Sequence, residues 1–346
     1  MKNTLTPVKH LTATELFDML RHIRVGGHAC TYSLRKCEEL VPAINRVRDL
    51  KKEKNAVILV HSYVVPEILY AVGDFSGDSY QLSKNATETA AEIIVFAGVR
   101  FMAETAKILN PDKEVLVPAL NDGCSLAESV TARDVRGLRR QFPEHTFVCY
   151  INTTAEVKAE CDVCVTSANV YRVCERIPND KIYFLPDKFM GQNLVNDFQA
   201  RGVRKDVQYY DGTCYVHEEY TPDQIFMIRR EYPKAKIVSH PECSAEVVKN
   251  SDYVGSTSQM LKYMENADAD EFLMLTECGL SSRLQKEFPA KRFVGSCTMC
   301  RYMKSNRLED IIRVLTEPLE RDRIVIPEDV RRRALTCVEA MFRYAE

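Results

Sequence analysis

The chain has 346 residues, 45% hydrophobic and 28% charged, with 47 Lys and Arg against 49 Asp and Glu. That is globular composition, and it gives no net basic field for nucleic acid. The purely apolar runs are far shorter than the roughly 20 residues of a membrane helix, and the opening MKNTLTPVKHLTATE lacks the apolar core of a secretory signal. A cytoplasmic protein that uses neither a membrane nor nucleic acid is expected, its 13 cysteines serving as buried thiols and metal ligands rather than a disulfide framework.

Residues 1–50 read as a helical extension, with Leu16, Met19, Leu20 and Ile23 at helical spacing and Cys30 and Cys37 as ordinary thiols. A first α/β unit is expected over 51–132. Its Ala56–Val60 run, bounded by Lys51–Lys54 and by His61-Ser62, predicts a strand buried on both faces that delivers His61 and Tyr63 at its carboxyl end. Gly77-Asp78-Ser79 opens a helix with Ser79 as its cap, a hydroxyl that could also face an anion. A strand over Glu92–Phe96, a turn at Gly98 and a helix over Phe101–Leu109, stopped by Asn110-Pro111, follow. The strand VLVPAL then leads to a turn that exposes Cys124.

The second unit, 133–219, starts with a helix over Ala132–Gln141 and a strand over Phe147–Tyr150 that carries Asn152 just beyond it. Cys161 and Cys164 form a C-x-x-C pair, but it runs into an apolar strand and has no second pair at zinc-ribbon spacing, so a structural role is expected. Ser167, the strand end Leu185-Pro186-Asp187 and the turn Gly212-Thr213-Cys214 follow, then His217 and Glu218. The third unit, 220–304, opens at Thr221-Pro222 and supplies His240, Glu242, Ser256, Thr257, Glu277, Cys297 and Cys300. Residues 305–346 read as amphipathic helix with an extended piece at Ile324–Pro327, packing back on the body.

One pattern organises all of this. An apolar run ends in polar residues at His61, Tyr150 and His240; a hydroxyl opens a helix at Ser79, Ser167 and Thr257. A second apolar run ends at Phe96, Leu185 and Leu275; a cysteine sits in a turn at Cys124, Cys214 and Cys300. Each trio is spaced by roughly 90 residues, and the four trios keep one order. That period is too long for a solenoid repeat and fits three small βαβ-type domains. Packed about a pseudo-threefold axis, their equivalent strand ends and cysteines would converge on one central site, at the carboxyl ends of strands where α/β sheets bind ligands.

Three cysteines on distant turns suit a soft metal, zinc or iron–sulfur. A full iron–sulfur site uses four, so three leave one position open, which is the mark of a catalytic metal acting as Lewis acid. His61, Tyr63, Tyr150, His217, His240 and Glu242 are the candidate acid–base groups; His217 is assigned to the site rather than the core because it follows Cys214 so closely. The substrate should be small, anionic and oxygen-rich. The rival reading is a non-enzymatic zinc or Fe-S protein, a scaffold or a redox sensor, which leaves the converging His, Tyr and Glu groups unexplained.

At these residues the chain resembles quinolinate synthase, the A protein of de novo NAD biosynthesis. The resemblance runs over about 50–345 and is carried by His61–Tyr63, Gly77-Asp78-Ser79, GVRFMAETAKIL, GCSLAE, YINTTAEVKAECD, VTSANV, PDKFMG, CYVHEE, HPEC, VGSTSQM and MCRYMK, in order. It implies three similar three-layer α/β/α domains about a pseudo-threefold axis with the active site at their centre, and an oxygen-sensitive [4Fe-4S] cluster on Cys124, Cys214 and Cys300. It implies condensation of iminoaspartate with dihydroxyacetone phosphate, the former supplied by an L-aspartate oxidising enzyme. Carried over by motif, His61, Ser79, Tyr150, Asn152, Ser167, His240, Glu242 and Thr257 bind substrate; beside that, Tyr63, Glu242 and His217 are the groups expected to move protons. The chain departs in having His61-Ser62-Tyr63 where many members have His-Tyr-Tyr, and in lacking an extra cysteine before Cys297. Cys297 is expected beside Cys300, free to form a disulfide with it once the cluster is lost.

Overall fold

The computed structural model describes residues 8–25 and 30–346. The rest of the predicted N-terminal extension, and the side chain of Cys30, lie outside the described residues. Each apolar run becomes a short parallel strand, since a strand covered on both faces needs no polar side to alternate with. The first sheet comprises β1 (Ala56–His61), β2 (Phe75–Gly77), β3 (Ile93–Ala97) and β4 (Glu114–Leu116) in the order β2-β1-β3-β4. The second comprises β5 (Thr146–Tyr150), β6 (Val163–Val165), β7 (Lys181–Leu185) and β8 (Asp206–Tyr209) in the order β6-β5-β7-β8. The third, of β9 (Lys236–Ser239), β10 (Tyr253–Val254), β11 (Glu271–Leu275) and β12 (Arg292–Phe293), runs β10-β9-β11-β12. Every neighbouring pair in the three sheets is parallel, and the strand order is the same each time. With helices flanking the sheets, the molecule is three α/β/α layers repeated.

The middle strands carry the core. Ile58, Leu59 and Val60 of β1, Phe147–Cys149 of β5 and Ile237 and Val238 of β9 are wholly buried. In β1, Leu59 lies in register between Phe75 and Phe96, so its side chain is shielded by both neighbours. Cys161 and Cys164 belong to this core, and Cys164 lies in β6 beside Cys149 of β5.

Besides Ser167, which lies in a turn and opens no helix because the next one starts at Val170 after Asn169, two details differ from the sequence expectation. The helix Ser79–Glu88 is capped by Asp78, whose Oδ1 accepts from Gln81 N at 3.0 Å, so Ser79 is its first residue rather than its cap. The third unit does the same: Ser256 caps the helix Thr257–Asn266 in a capping box with Gln259, and Thr257 comes first. An acceptor already sits one position earlier, which releases the hydroxyls of Ser79 and Thr257 from capping.

The second difference is a disulfide, Cys278–Cys297, with Cα atoms 5.2 Å apart. It corrects the expectation of thiols alone and of Cys300 as the partner of Cys297. Thr298 pairs with Glu277 in a parallel bridge, and Cys278 N donates to Thr298 O at 3.1 Å. This lays Cys297 against the start of the helix Cys278–Glu287, while Cys300 turns the other way.

The C-terminal segment binds two units together. Leu116 of β4 pairs antiparallel with Arg323, Ile324 N donates to Val115 O at 2.9 Å and Val117 N to Asp322 O at 2.9 Å. The extended piece predicted at Ile324–Pro327 thus starts as an added edge on the first sheet. The final helix, Glu328–Ala345, then lies on the second unit, its Cys337 Sγ 3.6 Å from Cys149 Sγ and its Arg333 bonded to Ala159 O.

Candidate active site

The carboxyl ends of β1, β5 and β9 meet at a cavity of about 70 Å³. It is lined by His61, Tyr63, Ser79, Tyr150, Asn152, Ser167, His217, His240, Glu242 and Thr257, and by Cys124, Cys214 and Cys300, so each residue predicted for the site reaches it. The thiols come from loops just after the last strand of each sheet. Glycine lets these loops close on their neighbours: a Cβ on Gly123 would sit 2.1 Å from Glu128 Oε1, and one on Gly212 only 2.7 Å from Pro186 O.

Two units orient a histidine in the same way. His61 Nδ1 accepts from Tyr63 N at 3.2 Å, and His240 Nδ1 accepts from Glu242 N at 3.3 Å. In a neutral ring that puts the proton on Nε2. Burial holds both rings neutral, His61 at about 4 and His240 at about 3. Glu242 is the centre of the network. Tyr150 OH donates to its Oε1 at 2.6 Å and His217 Nδ1 meets its Oε2 at 3.0 Å. Burial opposes its ionisation, but His217 and the bonds from His217 and Tyr150 outweigh burial and hold the carboxyl below its ordinary range.

A second network surrounds Tyr63. Its hydroxyl lies 2.8 Å from Thr276 Oγ1 and receives a 3.3 Å bond from Thr257, while His217 Nε2 meets Thr276 Oγ1 at 3.1 Å. Burial raises Tyr63 and Tyr150 well above the usual phenol range, so both remain proton donors at neutral pH. Thr276 therefore links Tyr63 to His217, and His217 links to Glu242.

The cysteines are protonated thiols in this setting. Burial pushes Cys124 up to about 12 and Cys214 well above its ordinary value, and it raises Cys300 too. The groups that act most on Cys124 and Cys214 are carboxylates, another thiol and backbone N–H groups, none a cationic side chain. A bound metal would supply the positive charge that three thiolates need here. The donor set fits a cluster held by three thiolates with one iron open. Cys214, His217 and Glu242 also place ligand atoms within 4.8 Å of one another, a donor set that suits zinc.

Sequence reasoning missed the supports. Thr276 and Lys304 gave no signal, since a threonine beside a strand end and a lysine beyond the last cysteine are ordinary. Glu277 Oε1 accepts from Cys300 N at 3.0 Å and pairs with Lys304 at 2.9 Å; Lys304 also donates to Tyr63 O. Asp187 is the counterpart of Glu277: each caps a helix, and Asp187 bridges Gly212 as Glu277 bridges Thr298. The repeat phase holds that signal, since both acids directly follow equivalent strands.

A family model described as quinolinate synthetase A protein matches residues 45–343. The chain is 39% identical over 344 residues to a quinolinate synthase of Caulobacter vibrioides, covering 98% of this chain and 90% of the relative. It is 42% identical over 311 residues to a quinolinate synthase of Aquifex aeolicus, covering 88% and 94%. It is also 42% identical over 301 residues to quinolinate synthase 1 of Mesorhizobium japonicum, covering 87% and 91%.

Proposed function

The chain belongs to the quinolinate synthetase A protein family, and from that membership we propose that it condenses iminoaspartate with dihydroxyacetone phosphate to quinolinate, releasing phosphate and water. The observation that carries the reading is the meeting of three loop cysteines, one from each unit, with a buried Tyr–Glu–His network at one cavity. Cys124, Cys214 and Cys300 would hold a [4Fe-4S] cluster, which supplies a Lewis acid for a departing hydroxyl when bound.

The chain's own residues do the rest. Ser79 and Thr257, first residues of their helices, offer hydroxyls and nearby backbone N–H groups to phosphate and carboxylate oxygens, with Asn152 and Ser167 from the second unit. Nε2–H of His61 and of His240 adds a neutral donor from each side. Glu242, held ionised with Tyr150 and His217 bonded to its two oxygens, takes the carbon-bound protons that isomerisation and dehydration require. Tyr63, held neutral, donates to the oxygen that leaves on imine formation. An L-aspartate oxidising enzyme would supply iminoaspartate in the cytoplasm. Among the described residues no helix is long and apolar enough to cross a membrane.

The test is quinolinate formation from the two substrates under anaerobic conditions, with iron and sulfide measured on the same protein. The Cys214–His217–Glu242 trio favours a second reading, a zinc protein. Colourless protein that holds stoichiometric zinc after anaerobic reconstitution, and makes no quinolinate, would replace the first reading with the second.

A further inference from the structure

Away from the site, the N-terminal extension and the third unit together line a second cavity of about 510 Å³, within the usual size range of small-molecule pockets. None of its lining residues lines the active-site cavity. Its wall presents Arg21, His22, Arg24, Lys291 and Arg292, and no carboxylate among the described residues. Asp18 and Glu271 partly neutralise Arg21 and Arg292. Lys291 Nζ instead donates to two carbonyls, Ala267 O at 3.0 Å and Ala269 O at 3.1 Å, and has no carboxylate partner among the described residues. Such a wall draws in a small anion.

The Cys278–Cys297 disulfide is part of this wall. Cys278 is 1% exposed, whereas Cys297 is half-buried, so an incoming thiolate meets Cys297 Sγ first. The bond ties the start of the helix Cys278–Glu287 to the loop that ends at Cys300. Glu277, one residue before the tie, holds Cys300 N. We propose that this cavity docks a small thiol bearing carboxylates, which exchanges with the Cys278–Cys297 disulfide and thereby sets how firmly Cys300 is held. The proposal rests, in its last step, on Cys300 being a cluster ligand.

The exchange balances. A thiolate RS⁻ attacks Cys297 Sγ; the R–S–S–Cys297 bond forms, the Cys278–Cys297 bond breaks, and Cys278 leaves as a thiolate. A second RS⁻ attacks the sulfur of the R group, releasing RSSR and the Cys297 thiolate. Two thiols are oxidised, one protein disulfide is reduced, and the cysteines take protons from water. Intracellular disulfides are mostly of this exchangeable kind.

The experiment follows the rate at which Cys278 and Cys297 become alkylatable in folded, oxidised protein, read by mass spectrometry, with glutathione or neutral 2-mercaptoethanol as the thiol. Each rate is normalised to the same thiol acting on an uncharged model disulfide. Glutathione should then be about tenfold faster at low salt and lose that advantage at high salt. Arg24→Ala with Lys291→Ala should remove the advantage and leave the 2-mercaptoethanol rate unchanged. Equal normalised rates for both thiols at low salt, or protein isolated without reductant in which both cysteines are already free, would overturn the proposal. Iron retention in oxidised and reduced protein is measured separately: unchanged iron with a glutathione advantage intact removes only the effect on Cys300. Failure of Cys300→Ala to lose iron would instead strike the cluster reading.

Discussion

Two groups of cysteines in this molecule look alike in composition and differ in everything else. Cys124, Cys214 and Cys300 stand on three loops from three units and face one cavity. Cys149, Cys161, Cys164 and Cys337 sit together in the core of the second unit, closed off from solvent. C-x-x-C spacing touches both groups, at Cys161/Cys164 and at Cys297/Cys300, so it does not separate them; the long repeat picks out the first. Local spacing does not say which thiols share a centre; phase within the repeat does.

The sharpest way to break this contrast is to remove the thiols one at a time. Cys124→Ala, Cys214→Ala and Cys300→Ala should each abolish bound iron and turnover, whereas Cys161→Ala and Cys164→Ala should keep iron under anaerobic conditions. Iron and sulfide analysis decides it: a folded Cys161→Ala protein without iron, beside a Cys124→Ala protein that retains it, would reverse the two assignments.

Next in size is the carboxylate that lines the cavity with the first group. Glu242→Gln should keep the cluster and lower kcat by about 10²–10⁴-fold, the usual worth of a general base. Turnover near that of the unaltered protein would take Glu242 out of the proton transfers.

A third test uses acid. The folded His61 titrates at about 4 and His240 at about 3, both depressed by burial, against an unfolded value of about 6.5. As the pH falls, the unfolded chain binds protons first, so stability is complete above about 6.5 and is lost on the way down to the folded values. For His61 the loss amounts to about 3 kcal/mol. Urea melts of cluster-free protein across this range should show a shallower slope for His61→Gln; an unchanged slope would mean that the ring is not held neutral in the fold.

The smallest effect belongs to the core group. Cys337→Ser puts a hydroxyl where Cys149 Sγ lies 3.6 Å away in an apolar setting, and should cost about 1–3 kcal/mol in a denaturant melt with iron content unchanged. A loss of iron in that variant would make the second group more than packing.

Much of the fold was legible because a strand covered on both faces writes itself as an unbroken apolar run, and because the chain writes it three times. Ala56–Val60, Phe147–Tyr150 and Leu275 all marked strands. The site residues followed from the same phase. What stayed hidden depends on contacts between distant segments. Nothing near Cys297 in sequence points to Cys278; the pairing arises when Thr298 runs beside Glu277. Thr276 matters only because Tyr63 and His217 reach it from other units. The helices do start at Ser79 and Thr257, but the cap of the first was misread by one residue because Asp78 is as good a cap as Ser79.

The C-terminal segment has a consequence for how the protein is born. Translation delivers the three units in turn, and each can begin to fold as it leaves the ribosome. The strand edge at Glu114–Leu116 and a face of the second unit are covered by residues 322–345, which emerge after all three cysteine loops. The first two units are therefore sealed to each other last, and a nascent chain halted before that segment would hold three thiols for a centre whose walls have not yet been clamped.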